Sequence, residues 1–241
     1  MVIPLRLKVV LPIFATVIMV SIVSIVFFTG PEVKQIIFKT GTYVGQVLKQ
    51  EGRSPVPHGT GVFVWNSGDK QSFRGVFVDG RIKGPGQVLY HDGVTCSGEF
   101  DAGVNINSDA VCTSGDGSRY EGYMEKGLRH KTGTMYYSNG DKYLGNWNNG
   151  QQHGQGKMYY ANGSTYHGDW IDGKPHGQYG VLDVPNGKHG AVRFVGQFVD
   201  GNMQGRGRIE FYKEYRTYCV FMENGHLVSK RRNEGVLENC G

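Results

Sequence analysis

The feature that most constrains this chain is a Tyr/Phe-x-Gly unit that returns at a nearly fixed interval. It stands at Tyr43-Val-Gly45, Phe73-Arg-Gly75, Tyr120-Glu-Gly122, Tyr143-Leu-Gly145, Tyr166-His-Gly168 and Phe194-Val-Gly196. A degenerate copy, Cys96-Ser-Gly98, and a last start at Tyr218 complete eight starts, separated by 30, 23, 24, 23, 23, 28 and 24 residues. A recurrent period of this length marks stacked supersecondary units, none of which can bury its apolar face alone. The two longest intervals hold insertions, around residues 53–57 and 185–189.

The cleanest unit runs from Lys142 to Gly163 and reads with a period of two. Tyr143, Gly145 and Trp147 fall on one face, with Leu144, Asn146 and Asn148 on the other. After the turn, Gly154, Gly156, Met158 and Tyr160 share a face, opposite Gln155, Lys157 and Tyr159. Such alternation predicts half-buried strands. Asn149-Gly150 and Asn162-Gly163 supply the chain reversals, so each unit is one hairpin joined to the next by a tight turn. The 38 glycines of the 241-residue chain then have a use beyond turns. A ring on one strand needs open space, and a glycine on the neighbouring strand leaves it. The expected fold is all-β, an elongated single-layer antiparallel meander of tandem hairpins. Its repeat core is Tyr43, Phe73, Gly75, Tyr120, Gly122, Tyr143, Gly145, Trp147, Tyr166, Gly168, Trp170, Phe194 and Gly196.

The pattern Tyr-x-Gly-x-Trp-x-x-Gly-x-x-x-Gly-x-Gly, met at every fixed position from Tyr143 to Gly156, resembles the MORN repeat (membrane occupation and recognition nexus). Residues 166–177 continue the likeness, which covers about residues 43–222. The third copy departs from it, with Cys96 in the aromatic position. The resemblance implies a scaffold for proteins or membrane lipids and does not imply a reaction.

Ahead of the repeats, residues 9–31 carry no charge and are rich in Val, Ile and Phe. About 20 such residues in a helix cross a bilayer core of about 30 Å. The run exceeds the h-region of a cleaved leader, and Phe28 stands at −3 for cleavage after Gly30, which favours an uncleaved signal anchor. The division read from sequence is therefore a tail over 1–8, a transmembrane signal anchor over 9–31, a linker over 32–42, about eight repeats over 43–222 and a tail over 223–241. Arg6 and Lys8 before the run tilt the N-terminus toward the cytoplasm, placing the repeats on the non-cytoplasmic side.

Residues 32–241 carry 24 basic against 21 acidic side chains with no dense basic stripe, which argues against nucleic acid as a partner. The one local cluster, Lys230, Arg231 and Arg232, is a solvated tail or a contact for acidic phospholipid or a partner. His130, His153 and His176 recur at one repeat position, but equivalents about 10 Å apart cannot share an ion whose ligands lie about 2 Å away, so no metal is expected. Gly168 to Lys174 has the spacing of a phosphate loop, yet Pro175 replaces its hydroxyl residue and no helix follows. The Asp-Gly and Asn-Gly pairs are turn chemistry rather than paired acid–base groups. No catalytic residue and no cofactor are expected. Cys96 and Cys112 share a face on adjoining strands and are either a disulfide or two buried thiols; Cys219 is out of phase with Tyr218 and faces the other side, with Cys240 as a candidate partner. The function expected is a membrane-tethered scaffold for an unidentified protein partner, with phospholipid binding on the same or an apposed membrane as the alternative.

Overall fold

The computed structural model describes residues 31–101, 103, 105–187, 190–232 and 240 of the chain, and all of these except Pro31 belong to one unit, Glu32–Gly241. The expected anchor at 9–31 lies outside the described residues except for Pro31. No helix among the described residues is long and apolar enough to cross a membrane.

The described residues form seventeen strands and no helix. They are β1 (Val33–Phe38), β2 (Gly41–Leu48), β3 (Val56–Trp65), β4 (Lys70–Val78), β5 (Arg81–Tyr90), β6 (Thr95–Phe100), β7 (Ile106–Thr113) and β8 (Arg119–Glu125). Next come β9 (Leu128–Tyr136), β10 (Lys142–Asn148), β11 (Gln151–Tyr159), β12 (Thr165–Ile171), β13 (Lys174–Gly187), β14 (Gly190–Val199), β15 (Asn202–Phe211), β16 (Arg216–Glu223) and β17 (His226–Arg232). Each strand pairs antiparallel with the next in sequence, giving one open sheet. Every repeat start falls on an even-numbered strand, and the odd-numbered strand after it completes the hairpin. Two stretches differ from expectation. The linker at 32–42 contains β1, registered on β2 from Val33↔Gln46 to Phe38↔Gly41, and the tail at 223–241 contains β17. Both add backbone partners to strands that would otherwise end the sheet.

Two kinds of turn alternate. Within the hairpins, Asp79-Gly80, Lys126-Gly127, Asn149-Gly150, Asp172-Gly173, Asp200-Gly201 and Asn224-Gly225 all place both residues at positive φ, the mirror-image turn that matches strand twist. Between hairpins, Asp92, Asp116, Asn139 and Asn162 each accept the backbone N–H two residues on, and the glycine that follows each of them is left-handed. Past each mirror-image turn the second strand bulges. Gly84, Gly154, Gly177 and Gly205 take positive φ there, as Gly59 does past the longer loop between β2 and β3, while Lys131, in the position of Gly154, does so at φ 51° without glycine's freedom. The insertion expected near 185–189 is shared with this bulge: Tyr179 is an extra residue between Gly177 and Gly180 and is 84% exposed.

The buried face is one side of the sheet, covered by its own rings. Tyr43, Phe73, Tyr120, Tyr143, Tyr166 and Phe194 are at most 3% exposed. Each ring lies across the glycine two residues on and the glycine paired with it; Tyr143 covers Gly145 and Gly156. A Cβ on Gly145 would stand 2.5 Å from Tyr143 Oη and 2.6 Å from Gly156 Cα. Each tyrosine hydroxyl then donates to the backbone carbonyl three residues on, at Gln46, Tyr123, Asn146 and Asp169, over 2.6 to 3.1 Å. The hydroxyl thereby satisfies an acceptor beside the bulge, where the ladder is irregular.

Candidate functional site

A second ring of each repeat joins the first to its neighbours. Tyr120 meets Trp147 edge to face at 5.5 Å, Tyr143 meets Trp147 at 5.2 Å and Trp170 at 5.0 Å, and Tyr166 meets Trp170 at 5.4 Å and Phe198 at 4.8 Å. Phe194 closes this series against Phe198 at 5.5 Å. A shorter series links Tyr43, Phe77, Phe73 and Phe100 at centroid distances of 4.8 to 5.5 Å. Edge-to-face contacts of this kind add about 0.5–1.5 kcal/mol each beyond area burial.

The two series break within the third repeat, between Phe100 and Tyr120. Cys96 stands where the others carry the first ring and Met124 where the fourth repeat would carry the second. The structure joins Cys96 to Cys112 directly across β6 and β7, with Cys112 Sγ 3.4 Å from Met124 Sδ. With no ring to accommodate, the position opposite Gly98 holds Ala110 rather than glycine, and Ile106 fills the remaining space at 0% exposure. Cys219 is joined to Cys240, so all four cysteines are paired.

Above the Cys96–Cys112 bridge lies a groove of about 470 Å³, running between Tyr90 and Val94 on one side and Tyr120, Met124 and Met135 on the other. Asp69 and Asp92 border it together with Lys126 and Arg129. Arg129 lies 4.6 Å from the Trp147 ring, and its Nη1 reaches Met135 Sδ at 3.7 Å. Burial pushes its guanidinium below the ordinary range, with Tyr137 and Tyr120 acting in the opposite sense. No carboxylate comes within ion-pair distance of it among the described residues.

The opposite face is open. Val44, Val64, Val111, Tyr136, Leu144, Tyr159 and Phe221 all point there and are between 36% and 49% exposed. Lysines sit over two of these rings, Lys142 over Tyr136 at 5.1 Å and Lys157 over Tyr159 at 4.8 Å. The face is therefore an apolar and aromatic surface edged by charge, able to bury side chains of a partner.

Of the histidine row, His176 has a structural role that the spacing alone does not reveal, and His58, outside the row, shares it. His58 Nδ1 accepts the N–H of Asp79 and His176 Nδ1 that of Asp200, while Asn107 and Gln204 do the same for Lys126 and Asn224. The adjoining glycines Gly80, Gly127, Gly150, Gly173, Gly201 and Gly225 donate to Pro57, Ile106, Arg129, Gln152, Pro175 and Met203. Each mirror-image turn is thus held on the preceding hairpin. His130 also lies 3.5 Å from Glu125. No group of residues able to hold a metal ion occurs among the described residues.

Lys230, Arg231 and Arg232 lie in β17, exposed, on alternating sides of the strand. Lys230 sits 5.3 Å from the Tyr218 ring. Charges on a last strand discourage further pairing. Gln152, buried at 7% exposure, carries no signal in the repeat pattern; its Nε2 donates to Tyr137 Oη at 3.0 Å.

The family model of the MORN repeat matches the chain in six places, at residues 56–70, 73–95, 120–142, 143–165, 166–178 and 194–213. The fifth match ends one residue before Tyr179, and residues 96–119, the third repeat, lie between matches. No curated protein matches the chain. Among solved structures it is similar to the SAS-4 (dCPAP) TCP domain of Drosophila melanogaster, in complex with a proline-rich motif of Ana2 (dSTIL), at 10% identity. That likeness covers 73% of this chain and 100% of the other, with a TM-score of 0.33.

Proposed function

We propose, for a chain that carries MORN repeats in six places, a membrane-tethered scaffold whose sheet binds a protein partner on the non-cytoplasmic side of the membrane. The observation that carries the binding role is the open face, where apolar and aromatic side chains from Val44 to Phe221 stand on one continuous sheet. Its other side is largely covered by the ring ladder, apart from the groove over Cys96–Cys112, which leaves the open face as a broad surface for contact. The pairing of all four cysteines supports an oxidising compartment, since cytosolic thiols are kept reduced. The apolar run at 9–31 supports the tether.

Photo-crosslinking groups at Leu144 and Tyr159 in the full chain test the binding role. Protein adducts that disappear when Val44, Val111 and Tyr136 of the same face are changed to lysine are expected; adducts to lipid alone would replace the scaffold with the phospholipid reading. Thiol labelling of intact cells tests the compartment. The four cysteines should label only after reduction, and ready labelling without a reductant would place the repeats in the cytosol.

A further inference from the structure

The two ends of the sheet are not equivalent. At one end, β17 carries Lys230, Arg231 and Arg232 in succession, and Cys240, held by its bond to Cys219, lies beside Ser229, Lys230 and Arg231. Two copies meeting there would set like charges against one another. At the other end, β1 has no such guard. It contains no proline, its pairing with β2 runs without a bulge, and its one charge, Lys34, is ion-paired with Glu32 at 3.3 Å. The register shows which backbone groups face outward. Val47 donates to the Glu32 carbonyl at 3.0 Å and Asn66 to the Thr40 carbonyl at 3.0 Å, so residues 32, 34, 36 and 38 turn their backbone groups toward β2. Val33, Gln35 and Ile37 therefore present their N–H and C=O groups at the free edge, and no strand among the described residues pairs with them.

We infer that β1 is the interface between two copies of this chain, which join edge to edge, antiparallel, about a two-fold axis at Gln35. Antiparallel pairing exchanges two hydrogen bonds between residues that both face the shared edge. With the axis at Gln35, Val33 meets Ile37 of the second copy, Ile37 meets its Val33 and Gln35 meets its Gln35, so every outward residue of β1 is paired. A shift of one residue sets outward groups against inward ones. A shift of two sets Ile37 opposite Pro31, which has no N–H, or Val33 opposite Lys39, which lies in the turn. The side chains favour the same register. Val33 and Ile37 are 65% and 78% exposed, stand on the open face on opposite sides of Gln35, and would cover one another across the join. The exposed Gln35 carries an amide that both donates and accepts, which suits a residue meeting its own copy. Glu32 and Lys34 are the only charges over residues 32–38 and they cancel, so no net charge of the strand opposes approach. A strand that reads apolar, amide, apolar in either direction along its edge is complementary to itself, which selects a second copy as the occupant. The contact is isologous and leaves the guarded β17 edges outside, so it closes at two copies. The inference goes beyond the scaffold reading and rests on neither the tether nor the open-face partner.

Sedimentation of the purified full chain in detergent, over a range of concentrations, tests it. The wild type should pass reversibly from one copy to two, at about 10–100 μM for an interface this small. Gln35→Pro removes an outward N–H and no bond to β2, and should weaken association about tenfold or more. Val33→Lys with Ile37→Lys, and Val33→Glu with Ile37→Glu, should each be monomeric, because like charges then face one another across the join. Mixed, these two variants should form a one-to-one complex, which distinguishes a lost contact from a lost fold. A wild type that stays monomeric, a Gln35→Pro chain that associates like the wild type, or charged variants that do not recombine would each overturn the proposal. So would uptake of a peptide spanning residues 32–39 by a chain that does not self-associate, which would assign the edge to a strand of another protein. None of these results bears on crosslinking at Leu144 and Tyr159, so the two readings fail separately.

Discussion

At the scale of single residues, the sheet depends on pairs in which one member is large because another has no side chain. Gly145→Ala would set a methyl carbon 2.5 Å from Tyr143 Oη and 2.6 Å from the Gly156 backbone, which cannot yield. Overpacking of this kind costs about 1–3 kcal/mol. Leu144, one residue away and 49% exposed, should tolerate alanine within about 0.5 kcal/mol. Urea unfolding of both variants checks the pair, and equal losses would contradict the assignment of faces. The same rings give the protein an alkaline limit. Burial pushes the phenols of Tyr43 and Tyr120 up from 10.0 to about 12, and Tyr143 and Tyr166 are raised as well. A folded chain that retains protons the unfolded chain has released loses stability as pH rises. Stability should hold up to about pH 10 and then fall toward pH 12. Tyr143→Phe, which removes the hydroxyl but leaves a ring of the kind found at Phe73 and Phe194, should soften that fall. Urea midpoints at about pH 8 and about pH 11 measure it.

At the scale of the hairpin, the sequence was legible wherever local chemistry decides the outcome. Alternation at Tyr143, Gly145 and Trp147 identified strand and face, and Asn149-Gly150 identified the turn, because both signals lie within a few residues. What was not legible depends on a neighbour in space. β1 and β17 lack the motif and form because an edge strand offers them backbone partners. His176 looked like one of a row of repeated loop residues, since its partner is an amide group more than twenty residues away. The groove is a subtraction: Cys96 matters for what it fails to supply, which emerges only once its neighbours are in place. The bridge is the third repeat's substitute for a ring. Replacing Cys96 and Cys112 together by alanine removes a link across 16 residues and should cost about 2–4 kcal/mol. Hydrogen exchange should show the loss centred on β5 to β8, where the two aromatic series come closest to separating. A uniform loss along the sheet would show that the bridge acts on the whole chain instead.

For the sheet as a whole, every strand pairs only with its neighbours in sequence, so damage should remain local. In Gly145→Ala, amide protection should fall from β8 to β13 while β2 to β4 keep theirs; equal loss from Tyr43 to Tyr218 would show one cooperative body. The turn bonds add a direction to this order. Gly150 leans on Arg129, Gly173 on Gln152 and Gly201 on Pro175, and in each case the acceptor precedes the donor in the chain. During synthesis, which runs from the N-terminus at roughly 5–20 residues per second, each new hairpin emerges after its docking site has been made. Stalled nascent chains ending after β13 should therefore already resist protease over β2 to β11, whereas chains that stay sensitive until β17 is complete would contradict this. The protein can then be built as masonry is, each course laid on one already set.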